Sequence, residues 1–315
     1  MSKIYNSIEE LVGHTPLLKL NKLMQKFELK ADILAKCEFY NPIFSIKDRI
    51  ALNMIKKAPF SKINSDTIFI EATSGNTGAA LAAFCAAKGY KLIIVMPENM
   101  TREKIALIRQ FGAEVMLTPA ADGMAGAIKK VEILKERSDN IIEFKQFENP
   151  ANVEAHKLTT SVEILEDTDG AVDAIVCGVG TSGTLTGIAS TLRTVNPDLY
   201  VMAVEPAESP VLAGGQKGAH QIGGIGAGFV PPLYDKSLVN EIYHATTKAA
   251  FEMTKTVAHT EGLPIGVSAA AAVCGAIDLA KRPEMTGKNI VVVLPDSVER
   301  YLSNPFYEYQ EQAEY

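Results

Sequence analysis

A loop at residues 71–78, Glu-Ala-Thr-Ser-Gly-Asn-Thr-Gly, combines hydroxyl and amide side chains with glycines. It follows a short apolar run and precedes an alanine-rich stretch typical of a helix. A helix N-terminus offers free backbone N–H groups and a positive dipole end, and Ser74, Asn76 and Thr77 add polar groups there. One such side chain would be enough for plain N-capping, so the whole set predicts a binding site for a carboxylate.

A second loop at 178–184 reads Gly-Val-Gly-Thr-Ser-Gly-Thr and again lies between a strand pattern and a helix pattern. Its Gly-x-Gly-x-x-Gly spacing matches the dinucleotide fingerprint, and Glu205 follows at about the 20-residue distance that the fingerprint requires. Taken alone, this loop favours an NAD-dependent oxidoreductase. The hydroxyls of Thr181, Ser182 and Thr184 instead suit a terminal phosphate with several oxygens, and the fingerprint usually opens its domain rather than lying past the middle.

Lys47 lies in a third segment, Ser-Ile-Lys-Asp-Arg at 45–49, after a turn-forming Asn-Pro pair and before a helical pattern. A cation at a helix start is disfavoured by the helix dipole, so Lys47 is a poor choice for a purely structural role. By itself it does not identify a cofactor lysine. Asp48 and Arg49 are expected to form local salt bridges.

The elements that must position these segments alternate between short apolar strands and helices of 10–15 residues, which predicts an α/β fold with parallel sheets covered by helices. In such folds the chemistry lies at the carboxyl ends of the strands. The predicted strands are 33–37, 67–71, 91–96, 114–118, 141–146, 174–177, 200–204 and 289–294. The predicted helices include 78–88, 102–111, 123–136, 154–165 and 184–195.

Composition narrows the function classes. A chain of 315 residues suits two domains, and a formal charge of −6 without any Lys/Arg block disfavours nucleic-acid and acidic-membrane binding. The N-terminal segment resembles neither a signal nor a transit peptide, and no apolar run approaches the roughly 20 residues of a membrane span. Four isolated cysteines and five scattered histidines give no metal-site spacing, which favours a reducing cytoplasm and no bound metal.

Several ordered motifs together resemble the cysteine synthase (O-acetylserine sulfhydrylase) family and its relative cystathionine β-synthase. Besides the three segments above, they are Gly-His-Thr-Pro-Leu at 13–17, Lys-Gly-Tyr-Lys-Leu at 88–92, Gln-Phe-Glu-Asn-Pro-Ala-Asn at 146–152, Gly-Ile-Gly-Ala-Gly-Phe at 224–229 and Glu-Arg-Tyr-Leu-Ser at 299–303. The resemblance covers nearly the whole chain. It implies pyridoxal 5′-phosphate (PLP) as cofactor and the two-domain fold type II, similar to the tryptophan synthase β subunit, usually as a homodimer. The smaller domain would span 40–149, and the larger would combine 1–39 with 150–315.

The resemblance also implies a role for each matching residue. Lys47 looks like the Schiff-base lysine and the base at Cα, Asn76 would meet the 3′-oxygen of the cofactor, and Ser268 would contact the pyridine nitrogen. The substrate carboxylate would be held by Thr73, Ser74, Thr77 and Gln146, and the phosphate by Gly180, Thr181, Ser182, Gly183 and Thr184. The implied reaction converts O-acetyl-L-serine and sulfide into L-cysteine and acetate through an aminoacrylate.

Five departures from the family pattern leave the donor and the nucleophile open. Ser182 stands where the phosphate loop normally has glycine, Lys145 and Gly223 where glutamine is frequent, and Ala269 and Ala72 where serine and proline are usual. We expect most of these positions to surround the cofactor or the substrate. Alternative reactions are L-cysteine as donor with release of hydrogen sulfide, and serine with homocysteine. A non-catalytic alternative is docking of another protein's C-terminus, such as that of serine acetyltransferase.

Overall fold

Two β-sheets organise the chain. The structure is a computed structural model that describes residues 4–59, 61, 63–73 and 75–307. Its strands are β1 (Leu17–Lys19), β2 (Asp32–Cys37), β3 (Ile68–Ala72), β4 (Lys91–Pro97), β5 (Glu114–Thr118), β6 (Ile141–Glu143), β7 (Ala174–Gly178), β8 (Tyr200–Pro206), β9 (Glu241–Ala245) and β10 (Asn289–Leu294). Its α-helices are α1 (Asn21–Lys26), α2 (Lys47–Lys56), α3 (Asn76–Lys88), α4 (Arg102–Gln110), α5 (Gly123–Lys135), α6 (Pro150–Ala155), α7 (Ser161–Asp167), α8 (Gly183–Val195), α9 (Thr247–Glu261) and α10 (Val267–Ala280).

The four-stranded sheet has the order β5-β4-β3-β6, and all of its strands are parallel. The central strand β4 shows why its sequence is apolar throughout. Ile94 and Met96 pack with α2 and α3, whereas Ile93 and Val95 pack on the other face against α5. Helices therefore cover both faces, as expected for a parallel sheet.

The six-stranded sheet has the order β1-β2-β10-β7-β8-β9, and only the pair of β1 with β2 is antiparallel. Its strand β10 again divides its side chains between two cores. Ile290 and Val292 pack with α9 and α10, and Val291 and Val293 pack with α8. The predicted α/β fold class with helix-covered parallel sheets is confirmed.

The predicted strands and helices are present, with ends that differ by a few residues. Two differences are larger. The strand expected at 141–146 ends at Glu143, and the helix expected at 154–165 begins earlier, at Pro150. The Asn149 side chain caps that helix by accepting the Ala151 N–H at 2.9 Å, and a π-helical turn, His156–Thr160, interrupts it. The chain between 68 and 143 supplies the whole four-stranded sheet, in keeping with the expected division at 40 and 149, which stays a prediction.

Arg49 joins distant parts of the chain at the base of α2. Its guanidinium donates to Glu38 at 2.7 Å and to Glu163 at 2.6 Å, and the buried Lys36 ammonium lies 3.0 Å from Glu163. The expectation of local salt bridges is therefore wrong for Arg49, because its partners lie 11 and 114 residues away. It is wrong for Asp48 too, since that carboxylate accepts the Ile43 N–H at 2.6 Å instead. Within the described ranges, no helix combines the length and apolar character needed to cross a membrane.

Candidate active site

One cavity of about 370 Å³ lies where the carboxyl ends of β3, β7 and β10 meet. Such an edge is where parallel α/β sheets place their ligands. The predicted site residues that line it are Lys47, Thr73, Asn76, Thr77, Gln146, Gly180, Thr181, Ser182, Thr184 and Ser268. Gly183 lies just behind this wall, and Ser74 falls outside the described residues. Five segments far apart in the chain thus meet around one cavity.

Lys47 is the first residue of α2 and reaches into this cavity. The backbone holds it in place, because the Ile46 N–H donates to the Pro295 carbonyl at 2.9 Å and the Lys47 N–H donates to the Ser45 hydroxyl at 3.3 Å. Burial lowers the pKa of the Lys47 amine, and the nearby carboxylates, chiefly Asp296, oppose that shift. A lysine with a lowered pKa is more often neutral, which suits both a nucleophile and a base.

The loop after β3 holds its polar groups in a defined arrangement. The Thr77 hydroxyl donates to the Gln146 side-chain oxygen at 2.7 Å, and the Gln146 amide donates to the Ala72 carbonyl at 3.1 Å. Thr73 is buried beside them, and Gly75 caps the start of α3. The helix N-terminus therefore faces the cavity with Thr73, Thr77 and Gln146 assembled around it, which suits a carboxylate.

Asn76 makes contacts that the sequence analysis did not foresee. Its side-chain amide donates to Asp296 at 2.6 Å, and its side-chain oxygen accepts from Arg300 at 2.9 Å. Asp296 also accepts the Tyr301 hydroxyl at 2.5 Å and is 1% exposed. Asp296 follows the buried strand β10 almost directly, and this position at the end of a strand could have marked it as a candidate site residue. Its contact with Asn76 could not be predicted, because the two residues are 220 positions apart in the chain.

The loop after β7 requires glycine at two positions, because neighbouring chain segments lie too close to leave room for a Cβ atom. A Cβ on Gly180 would lie 2.4 Å from the Gly224 carbonyl oxygen, and a Cβ on Gly183 would lie 1.8 Å from the Asn152 side-chain oxygen. Asn152 also donates to the Thr181 hydroxyl at 2.9 Å. These contacts hold the loop so that the N-terminus of α8 opens on the cavity, the arrangement that binds phosphate.

Two further side chains frame this cradle. The Thr184 hydroxyl lies 3.1 Å from His156 Nε2, and burial together with the charges of Arg49 and Lys47 holds the pKa of His156 well below its usual value. A neutral imidazole therefore supports the hydroxyl. Ser268, in the first turn of α10, is 2% exposed and lines the same cavity. The residues present fit PLP, because one cavity offers a lysine amine, a helix N-terminus with several hydroxyls and the Ser268 hydroxyl.

Ser182 adopts a left-handed backbone conformation, with φ 70° and ψ −9°. Left-handed backbone costs a non-glycine residue about 1–2 kcal/mol. The Ser182 hydroxyl lies 3.3 Å from the Thr186 hydroxyl, which donates to the Leu233 carbonyl at 2.8 Å. The departure from glycine at this position therefore strains the loop, and the hydroxyl offsets the strain only in part.

Ser182→Gly is expected to raise the free energy of unfolding by about 0.5–1 kcal/mol, because relief of strain exceeds the added entropy of the unfolded chain. Chemical denaturation of the two proteins measures this difference. Ser182→Ala is the control, since it keeps the strain and removes only the hydroxyl. Equal changes in the free energy of unfolding of both variants would mean that loss of the hydroxyl, and not relief of backbone strain, causes the effect.

The other four departures differ in where they lie relative to the cavity. Gly223 lines the cavity, and a Cβ there would lie 3.1 Å from the Tyr301 ring, so a larger side chain would displace that ring. Lys145 does not line the cavity; it is exposed and pairs with Glu148 at 3.3 Å. Ala269 is buried in the core below Ser268 and is not part of the cavity wall. Ala72, the last residue of β3, is also buried and lies outside the cavity wall. Of the five departures only Ser182 and Gly223 line the cavity, so the expectation that most of them surround the ligands is wrong.

Glu205 tests the dinucleotide alternative. A dinucleotide site needs this acid free to bind a ribose hydroxyl. Here Glu205 is 1% exposed, and its two oxygens accept the N–H groups of Leu212 at 2.8 Å and Ala213 at 3.2 Å. The acid is occupied in holding a local loop, which argues against an NAD site.

Comparisons with known proteins agree with this geometry. The family described as pyridoxal-phosphate dependent enzyme matches residues 8–296. A cysteine synthase from Staphylococcus aureus is 44% identical over 311 residues, covering 98% of this chain and 99% of the relative. The crystal structure of a cysteine synthase from Entamoeba histolytica matches with a TM-score of 0.94 at 40% identity, covering 99% of this chain and 93% of that one. A hydrogen sulfide-producing enzyme from Fusobacterium nucleatum matches with a TM-score of 0.91 at 42% identity, covering 95% and 100%.

Proposed function

The chain belongs to the family of pyridoxal-phosphate dependent enzymes, and from that premise we propose that it converts O-acetyl-L-serine and sulfide into L-cysteine and acetate. The observation that carries the proposal is the 44% identity to a cysteine synthase over 98% of the chain. The cavity supports it, because one space offers a lysine, a carboxylate loop and a phosphate loop.

Each site residue has a proposed task in that reaction. Lys47 would hold the aldehyde carbon of PLP, and the phosphate would lie against Gly180, Thr181, Ser182, Gly183 and Thr184. Ser268 would contact the pyridine nitrogen, and Asn76 the 3′-oxygen after turning from Asp296. When bound, PLP supplies the electron sink that makes the Cα proton removable and the Cβ substituent a leaving group.

The chain's own residues supply position and proton transfer. The loop of Thr73, Ser74 and Thr77, with Gln146, would hold the donor carboxylate and so fix which bond at Cα is broken. With the donor held in the cavity, the Lys47 amine would be the base placed to remove the Cα proton. Its lowered pKa favours the neutral amine that this step needs. The Ser268 hydroxyl cannot hold a proton on the ring nitrogen as a carboxylate would, which favours elimination at Cβ.

A second candidate function is release of hydrogen sulfide from L-cysteine by the same residues. The likeness to a hydrogen sulfide-producing enzyme at 42% identity favours keeping it as a rival. A serine and homocysteine pair is the third donor–nucleophile combination. The three reactions share Lys47 and both loops and differ only in what leaves Cβ and what adds there.

A donor–nucleophile panel on the purified holoenzyme separates these reactions. We expect cysteine and acetate to form in equal amounts from O-acetyl-L-serine and sulfide, at the highest kcat/KM of the panel. Cysteine alone, assayed for released sulfide, and serine with homocysteine, assayed for cystathionine, are the competing arms. A higher kcat/KM in either competing arm would overturn the proposed donor and nucleophile while leaving the cofactor chemistry intact.

We further propose that the enzyme works in the cytoplasm as a homodimer, in keeping with the family resemblance. Its small-molecule substrate requires no macromolecular partner. Docking of a serine acetyltransferase C-terminus would be detected as inhibition of cysteine formation by a peptide of that sequence, competitive with O-acetyl-L-serine. Sedimentation equilibrium gives the oligomeric state, with the mass of a single chain as the contradicting outcome.

A further inference from the structure

Lys104 is a second lysine in the cavity, and it has no task in the proposed binding of PLP or in removal of the Cα proton. It lies in the first turn of α4 and lines the cavity. Its ammonium is 3.7 Å from where a Cβ on Gly75 would lie, next to the carboxylate loop. It also lies 5.1 Å from the centre of the Tyr301 ring.

Lys104 forms no ion pair in the part of the chain that the structure describes, and its ammonium lies over the Tyr301 ring. Burial lowers the pKa of Lys104, while the charge of Asp296 opposes the shift. Asp296 Oδ2 accepts from Asn76 at 2.6 Å and from Tyr301 at 2.5 Å, whereas its Oδ1 has no hydrogen-bond partner among the described residues. An anion that enters the cavity would favour the protonated form of this half-buried amine, and the protonated amine would in turn stabilise the anion.

Met100, Met124 and Tyr301 line the same cavity as Lys104. The donor carboxylate would bind at the N-terminus of α3, with Thr73, Thr77 and Gln146, and so would not need Lys104. The reaction has a second anion to accommodate, because sulfide enters as hydrosulfide and acetate leaves.

We propose that Lys104 binds the anionic nucleophile and directs it to Cβ, so that it sets the enzyme's preference for charged over neutral nucleophiles. This inference rests on the proposed β-replacement. The step balances: hydrosulfide adds its sulfur to Cβ, acetate has left with the electron pair of the Cβ–O bond, and Lys47 returns its proton to Cα. Lys104 forms no bond in this step and acts by its charge.

The test compares Lys104→Met and Lys104→Arg with the native holoenzyme in the two half-reactions. Release of acetate in a single turnover without nucleophile reports the donor half. Consumption of added sulfide, followed by rapid mixing, reports the nucleophile half. We expect Lys104→Met to slow the sulfide half by about tenfold or more, the range in which a focused charge changes association rates. The donor half should stay within twofold, and Lys104→Arg should retain most of the sulfide rate.

Arg102→Met is the matched control, because Arg102 lies in the same helix turn, is exposed and does not line the cavity. It removes the same net charge from the protein and should change neither half-reaction. Circular dichroism and the cofactor absorbance of each variant check folding and loading. An equal loss in the Arg102 control would mean that overall charge, and not Lys104, is responsible.

Two thiols with opposite distal charges locate the contact. If Lys104 meets the sulfur, Lys104→Met will slow 3-mercaptopropionate and cysteamine alike. If it meets a distal carboxylate, only 3-mercaptopropionate will slow. Nitrate, an inert anion, should inhibit the sulfide half competitively in the native enzyme and much less in Lys104→Met.

Outcomes that overturn the inference are distinct from failure of the proposed function. A donor half slowed as much as the sulfide half would assign Lys104 to the donor carboxylate instead. If Lys104→Met changed neither the rate of the sulfide half nor its inhibition by nitrate, Lys104 would have no role in the reaction. If the native enzyme made no cysteine from sulfide, the proposed function would fail. Nitrate binding by isothermal calorimetry to the native protein, compared with Lys104→Met, would then still test the anion site.

Discussion

Lys47→Ala is expected to lower the rate of cysteine formation from O-acetyl-L-serine and sulfide by about 10³-fold or more. The variant loses both the amine that would hold PLP and the base at Cα, and alanine offers neither function. Burial lowers the pKa of this amine, which favours the neutral form that a base requires. Initial rates at saturating PLP measure the loss.

Lys56→Ala is the control for this variant, because Lys56 ends the same helix and is exposed. Its rate should match that of the native enzyme. Lys47→Arg keeps the positive charge but not the free amine, so it should be as inactive as Lys47→Ala. A Lys47→Ala protein that kept a tenth of the native rate would refute the assignment.

Arg49→Met is expected to lower the free energy of unfolding by about 3–5 kcal/mol, the cost of leaving buried charges without their partner. Arg49 is 2% exposed and contacts both Glu38, at 0%, and Glu163, at 8%. Methionine fills a similar volume, so the loss reports charge rather than a cavity. Equilibrium unfolding in urea at neutral pH gives the difference.

Lys57→Met is the comparison for Arg49→Met, because Lys57 pairs with Glu154 at 2.8 Å on the surface. An exposed pair contributes only about 0–1 kcal/mol, so this variant should remain close to the native stability. If both variants lost the same amount, burial of the Arg49 pairs would not be the cause.

The Arg49 pairs also predict a pH dependence of stability. Burial raises the pKa of Glu163, but the hydrogen bond and charge of Arg49 and the charge of Lys36 outweigh it and lower that pKa to about 2. Because the folded-state pKa is below the ordinary value of 4.5, the ionised form stabilises the fold above pH 4.5. That stability is lost as the pH falls from there towards 2. The slope of unfolding free energy against pH in this window should be shallower in Arg49→Met.

Regular elements were predictable from the sequence because their signals are local. The apolar runs of β4 and β10 predict strands covered on both faces, and the cores on both sides confirm it. β1 and β9 were missed. Both lie at the edge of their sheet, and their side chains are only partly buried, so they lack a continuous apolar pattern.

Only those site residues that lie in short contiguous motifs could be predicted from the sequence. Thr73, Gly75 and Thr77 in the first loop and residues 178–184 in the second lie where their order in the chain suggested. Lys47 and Ser268 join them in one cavity. Asp296 and Lys104 join the same cavity from remote segments, and no local pattern links residues so far apart in the chain. The left-handed backbone of Ser182 likewise depends on how the loop packs after folding.

The most direct test of the central claim is to find the amine that carries PLP. Borohydride reduction of the holoenzyme fixes the cofactor to that amine, and proteolysis with mass spectrometry then identifies the peptide. We expect a single modified residue, Lys47, and no modification of Lys104, although both lysines line the cavity. Modification of Lys104 instead, or of neither lysine, would contradict it.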